Sequence, residues 1–141
     1  MTGRRQSLAA LCAQFQIAIL YSFGSRAKEL LAWLGDPAAA LVPGPSDVDI
    51  GAKPLPGVQL GWEEEVALAQ ALEELFGVER VDLVNLDKAN PYLAAEVIHG
   101  ERLYAQDDYL ADNYDLYILR READLAFLEE EKAKILLGVD G

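Results

Sequence analysis

Positive charge is scarce in this sequence. Of 141 residues, 12 are Lys or Arg and 24 are Asp or Glu, a formal net charge of −12. Such a chain does not grip nucleic acid non-specifically, because that needs cations on the phosphates. It is equally ill suited to an anionic membrane surface. A basic partner or a bound cation suits it better. Cysteine is almost absent, and the lone Cys12 excludes an internal disulfide. Its place in an apolar helical pattern makes it a small core residue. No run approaches the roughly 18 apolar residues of a membrane span. The apolar stretch 8–13 is short and is followed by Gln14 and Gln16, so it does not read as a signal peptide. The expected location is the cytoplasm. Repeats and low-complexity tracts are missing too.

Glycine and proline are also missing from 107 to 137. That predicts one long helix or two abutting ones. A continuous helix would run roughly 45 Å, longer than so small a domain is wide. Part of it is expected to cover a sheet and part to offer a surface to a partner or a second copy.

What is present reads as one globular domain over 1–141, with 52% hydrophobic and 26% charged residues. A helix is predicted over 7–13. Residues 16–23 form a short apolar run rich in strand formers, interrupted by Gly24-Ser25. Helical periodicity resumes through Ala27, Leu30, Leu31 and Leu34 and stops at Gly35-Asp36-Pro37. A loop follows to Pro45. In 46–52, Val48 and Ile50 face one way and Asp47 and Asp49 the other, as on a strand. Residues 62–76 form a helix whose apolar side is Val66, Leu68, Ala69, Leu72, Leu75 and Phe76. Glu63, Glu64 and Glu65 stand in its first turn, where the helix dipole favours negative charge, and Gly77 caps it. A third strand spans 79–86, Pro91 opens a helix running to about His99, and 102–105 is a short edge strand. The order gives an α+β fold, a small mixed sheet flanked by helices. Trp33 and Trp62 are expected to pack. His99 is expected to be structural, and Tyr104, Tyr109, Tyr114 and Tyr117 to serve core or interface.

The chemistry concentrates in Gly24-Ser25, Asp47-Val48-Asp49 and Asp82. Two aspartates at i and i+2 share a strand face, and like charges so close repel unless a cation stands between them. Mg²⁺ prefers oxygen ligands and is commonly held by carboxylates together with substrate phosphates. Asp82, between Val81 and Leu83, is a poor strand former. A role as third ligand would explain it. A strand that ends in Gly-Ser and opens a helix aims backbone N–H groups and a hydroxyl at an anion. Arg26 and Lys28 add positive charge there.

Gly24-Ser25, Ser46-Asp47-Val48-Asp49 and Val81-Asp82-Leu83-Val84, in that order, resemble the DNA polymerase β-type nucleotidyltransferases. The short chain, with the sequel 90–104, is similar to the minimal nucleotidyltransferases, the MntA-like antitoxins that partner a HEPN-domain toxin. The resemblance covers about 15–137. It implies that Asp47 and Asp49 bind two Mg²⁺ ions. Asp82 would complete one metal site and help to deprotonate the attacking hydroxyl. Gly24 and Ser25 would hold the β- and γ-phosphates of ATP, with Arg26 and Ser46 beside the nucleotide. The implied activity is transfer of AMP to a tyrosine of the toxin, which silences it. The alternative is a binding module that neutralises the toxin by occlusion. One departure stands out. The spacer between Ser25 and Asp47, residues 26–46, is longer than the pattern's. The extra 36–45 would lengthen the helix or form a flap, and could displace the phosphate cradle from the acids.

Overall fold

The computed structural model describes residues 3–41 and 47–138. Its centre is β1 (Ile17–Phe23), buried along its whole length. A near-continuous apolar strand is what a sheet covered on both faces requires. The other strands are β2 (Val48–Pro54), β3 (Val81–Asn85) and β4 (Glu101–Ala105), in the order β3-β2-β1-β4. Strands β2 and β4 run antiparallel to β1, and β3 runs parallel to β2. A parallel neighbour needs a crossover, and α3 (Trp62–Phe76) supplies it. The mixed sheet flanked by helices is the expected α+β architecture, and β4 lies on an edge as expected.

Strand periodicity sorts the core into two. On one face, α1 (Arg4–Gln14), α2 (Ala27–Gly35) and α3 pack Leu8, Leu30, Trp33, Leu68 and Leu72 against Leu20, Val48 and Ile50. On the other, α4 (Pro91–Ile98) and α5 (Asp108–Leu137) pack Val97, Ala111 and Ile118 against Ile19 and Tyr21. In β2, Val48 and Ile50 serve the first core, so Asp49 and Gly51 point to the α4 side. Gly51 has to be glycine, because a Cβ there would collide with Val97.

Two expectations on α3 are corrected. Trp62 is 71% exposed and Val66 49% exposed, although both were expected to pack. The buried arc of α3 is Leu68, Leu72 and Phe76, spaced by four, and residues 62 and 66 lie away from it on a 3.6-residue turn. Trp33 packs as expected, edge-on to Phe76 at 5.4 Å between centroids.

The segment after α2 does not lengthen that helix, which ends at Gly35. Arg4 ties its start down. The guanidinium lies 4.3 Å over the Trp33 ring and donates to the carbonyls of Trp33, Asp36 and Ala39 at 2.7, 3.0 and 2.7 Å. Residues 42–46 of the spacer, Ser46 included, lie outside the described residues.

The Gly- and Pro-free stretch is one helix of 30 residues. The Asp107 carboxylate caps its start by accepting from the backbone N–H groups of Tyr109 and Leu110. Arg102 on β4 reaches Asp112 at 2.9 Å and Asp115 at 2.7 Å, and the buried Tyr21 hydroxyl donates to Asp115. Among the described residues, no helix is long and apolar enough to cross a membrane.

Candidate active site

At the end of β1 the chain turns through Gly24–Arg26 into α2. Gly24 has φ +75°, the left-handed region that a side chain disfavours. A Cβ at Gly24 would strike the Asp49 carboxylate. The bare glycine backbone therefore lies directly on that acid. In the sheet, Phe23 is the register partner of Asp49, and Asp49 that of Asp82. The Gly-Ser turn, the second acid and the third acid thus form a row across three neighbouring strands. The long spacer has not pulled the turn from the acids.

Asp47 precedes β2 by one residue and lies 3.5 Å from the Arg80 guanidinium, with both side chains well exposed. Pairs of that kind hold weakly. Asp49 is the most enclosed of the three acids. Burial, and then the negative charges of Asp82, Asp47 and Glu96, raise its pKa above the ordinary carboxylate value. Among the described residues, the side chains as they stand form no group of three His, Cys, Asp or Glu that could hold a metal ion. The donor set is nonetheless all hard oxygen on adjacent strands, which is the chemistry Mg²⁺ accepts. Asp47 would have to leave only a weak surface pair to join it.

Beside the acids opens a hollow of about 370 Å³, lined by Gly24, Ser25, Lys28, Glu96, His99 and Gly100 among others. Gly24 is the boundary shared by hollow and acids. No side chain caps the turn 24–26 that leads into α2, and the Ala27 N–H at the start of the helix donates to the Gly24 carbonyl, so the N–H groups left for an anion are those of the turn. Ser25 and Lys28 are exposed at that end. Arg26 makes a two-point pair with Glu29, 3.0 Å from Nε and 2.9 Å from Nη2. His99 pairs with Glu122 of α5 at 2.8 Å, a structural tie at the rim of the hollow.

Sequence reasoning missed Glu96. It looked like one more helix carboxylate, and its approach to Asp49 depends on α4 packing over β2. The one signal in the chain is Gly51, the small residue that admits Val97 and so brings α4 close.

Residues 6–109 match the model of a family described as "Polymerase beta, Nucleotidyltransferase". No curated protein matches the sequence. The fold is similar to that of a chain in a toxin–antitoxin structure with AMP-PNP, with TM-score 0.63, 20% identity, and 96% of this chain and 97% of that one covered. It is similar to a chain in the complex of a tri-AMPylated Shewanella oneidensis HEPN toxin with its MNT antitoxin, with TM-score 0.59, 20% identity, and 96% and 95% covered. A chain of an MntA–HepT toxin–antitoxin matches at TM-score 0.59 and 19% identity, with 96% of each covered. At such identities the likeness is one of fold.

Proposed function

The chain belongs to the polymerase beta nucleotidyltransferase family, and from that premise we propose that it transfers AMP from ATP to a tyrosine hydroxyl of a cognate HEPN toxin, acting as its antitoxin. The observation that carries this reading is the close approach of Gly24 to the Asp49 carboxylate, which sets the Gly-Ser turn against the acids. Gly24, Ser25 and the backbone N–H groups of the turn 24–26 would bind the β- and γ-phosphates, with charge from Lys28. Arg26, paired with Glu29, and Ser46 would stand beside the nucleotide. Asp47, Asp49 and Asp82 would hold two Mg²⁺ ions, which when bound neutralise charge on the phosphate oxygens.

Asp82 would accept the proton of the attacking hydroxyl. The hydroxyl oxygen then bonds to the α-phosphorus, the α–β phosphoanhydride bond breaks, and pyrophosphate leaves. Support for the partner comes from the solved structures of similar fold, two of which pair an antitoxin with a HEPN or HepT toxin. Support for the nucleotide comes from the one holding AMP-PNP.

The test is to incubate the chain with a candidate cognate HEPN protein, ATP and Mg²⁺, then weigh the HEPN protein by mass spectrometry. The expected gain is one or more AMP units, absent with Asp47→Asn/Asp49→Asn. A second reading, neutralisation by occlusion without chemistry, is favoured by the exposed apolar residues of α5. Toxin neutralisation that survives the double substitution would establish it.

A further inference from the structure

The acid row contains a cation of its own. Val48 is the register partner of Val81 and Asp49 that of Asp82, and the Val48 N–H donates to the Arg80 carbonyl at 3.2 Å. Val48 and Val81 are both buried in the first core. Side chains alternate along a strand. The residues on either side of these valines, Asp47 and Asp49 on one segment and Arg80 and Asp82 on the other, therefore share the opposite face. Arg80 stands across from Asp47 as Asp82 stands across from Asp49. The Arg80 Nε accordingly lies 3.5 Å from an Asp47 carboxylate oxygen. Among the described residues, no other cation pairs with Asp47, Asp49 or Asp82.

A divalent ion drawn to Asp47 meets this guanidinium first, and like charges so close repel. The two cations contend for one carboxylate. The Arg80 side chain is 72% exposed, so it can turn aside without unpacking a core. A nucleoside triphosphate changes the balance. Its phosphate oxygens supply ligands to the metal and offer the displaced guanidinium a two-point anion. We propose that Arg80 is an internal counter-ion of the acid row, which opposes the entry of a divalent ion alone and yields to one that arrives with a nucleoside triphosphate. The proposal rests on the nucleotidyltransferase reading above and adds how its metal site is guarded.

The experiment titrates the full chain with Mn²⁺ alone and reads the free ion by electron paramagnetic resonance, with circular dichroism to verify folding. Removing a unit charge beside a divalent one should tighten Mn²⁺ binding by Arg80→Gln on the order of 10-fold at low salt. A merely structural arginine would give the opposite sign, since damage to the site weakens binding. Arg80→Lys keeps the charge and should bind Mn²⁺ like the unaltered chain. With AMP-PNP present, the gain in Arg80→Gln should shrink to about twofold or less, because the guanidinium then has the phosphates to pair with. Equal or weaker Mn²⁺ binding by Arg80→Gln overturns the proposal and leaves the nucleotidyltransferase reading standing. So does a gain in Arg80→Lys as large as in Arg80→Gln, or a gain that AMP-PNP does not reduce. No Mn²⁺ binding by any of the chains, with or without AMP-PNP, overturns the metal site and the counter-ion together. The expected ratios without AMP transfer to a HEPN protein would support the counter-ion and count against the toxin as acceptor.

Discussion

Gly24 is where backbone geometry and charge meet. Its φ of +75° costs a side-chain-bearing residue about 1–2 kcal/mol, and its missing Cβ leaves room for the Asp49 carboxylate. Gly24→Ala should therefore push the turn and the acid apart. A displacement near 1 Å at a reacting centre costs roughly 100-fold in rate. AMP transfer by Gly24→Ala should fall by about that factor while urea denaturation shows a folded chain. An unchanged rate would mean the turn takes no part. Cys12 gives a different residue-scale test. It is fully buried, and burial pushes its thiol from 9.0 up to about 12. Below pH 9 the folded and unfolded chains both keep the proton. Between about 9 and 12 the unfolded thiol ionises and the folded one does not, so stability falls as pH rises. The native thiol should resist iodoacetamide at pH 8 and react promptly in urea. Rapid alkylation of native protein would contradict its burial.

At the scale of elements, local chemistry wrote much of the structure plainly. The glutamates at 63–65 and Gly77 bracket α3, and the helix runs Trp62–Phe76 as the pattern predicts. The apolar run before Gly24 could only be a covered strand, and β1 is one. What local pattern does not encode is which strand neighbours which. The parallel pairing of Asp49 with Asp82 arises from α3 crossing back over the sheet, so the acid row became visible only with the fold. Arg4 was illegible for the same reason, since its acceptors lie 29 to 35 residues away. Trp62 misled because an aromatic in a helical pattern does not say which arc the sheet will cover. The tie between β1 and α5 is testable. Asp115 accepts from the buried Tyr21 hydroxyl and from Arg102. Asp115→Ala leaves a buried donor unsatisfied and should cost about 2–3 kcal/mol in urea unfolding. Tyr21→Phe on that background should cost much less than in the unaltered chain, because the hydroxyl has already lost its partner. Additive losses would show that the bond does not hold the helix.

For the whole molecule, the informative quantity is how far α5 outruns what it packs on. Its sheet-facing contacts run through Ala111 and Ile118, and the Tyr92 hydroxyl reaches it as far along as Glu129. Beyond that, Lys134 meets carboxylates of its own helix, at 3.8 Å to Glu130 and 3.6 Å to Glu131. Exposed ion pairs of this kind add little. Tolerance to truncation follows the burial and hydrogen bonding of what is removed. Among the described residues, ending the chain after Ala126 removes exposed or half-buried residues and the Tyr92 contact, so unfolding free energy should change by no more than about 1 kcal/mol. The sheet, the acid row and the hollow stay intact, and AMP transfer to a small hydroxyl acceptor should continue at its former rate. On the occlusion reading, toxin binding should fall, because Phe127 and the exposed apolar end of the helix are gone. A truncated chain that unfolds in low urea would make the end of α5 part of the core. A truncated chain that still binds toxin fully would place the grip elsewhere. Stability kept while binding is lost is the outcome expected of a rod that the domain folds without.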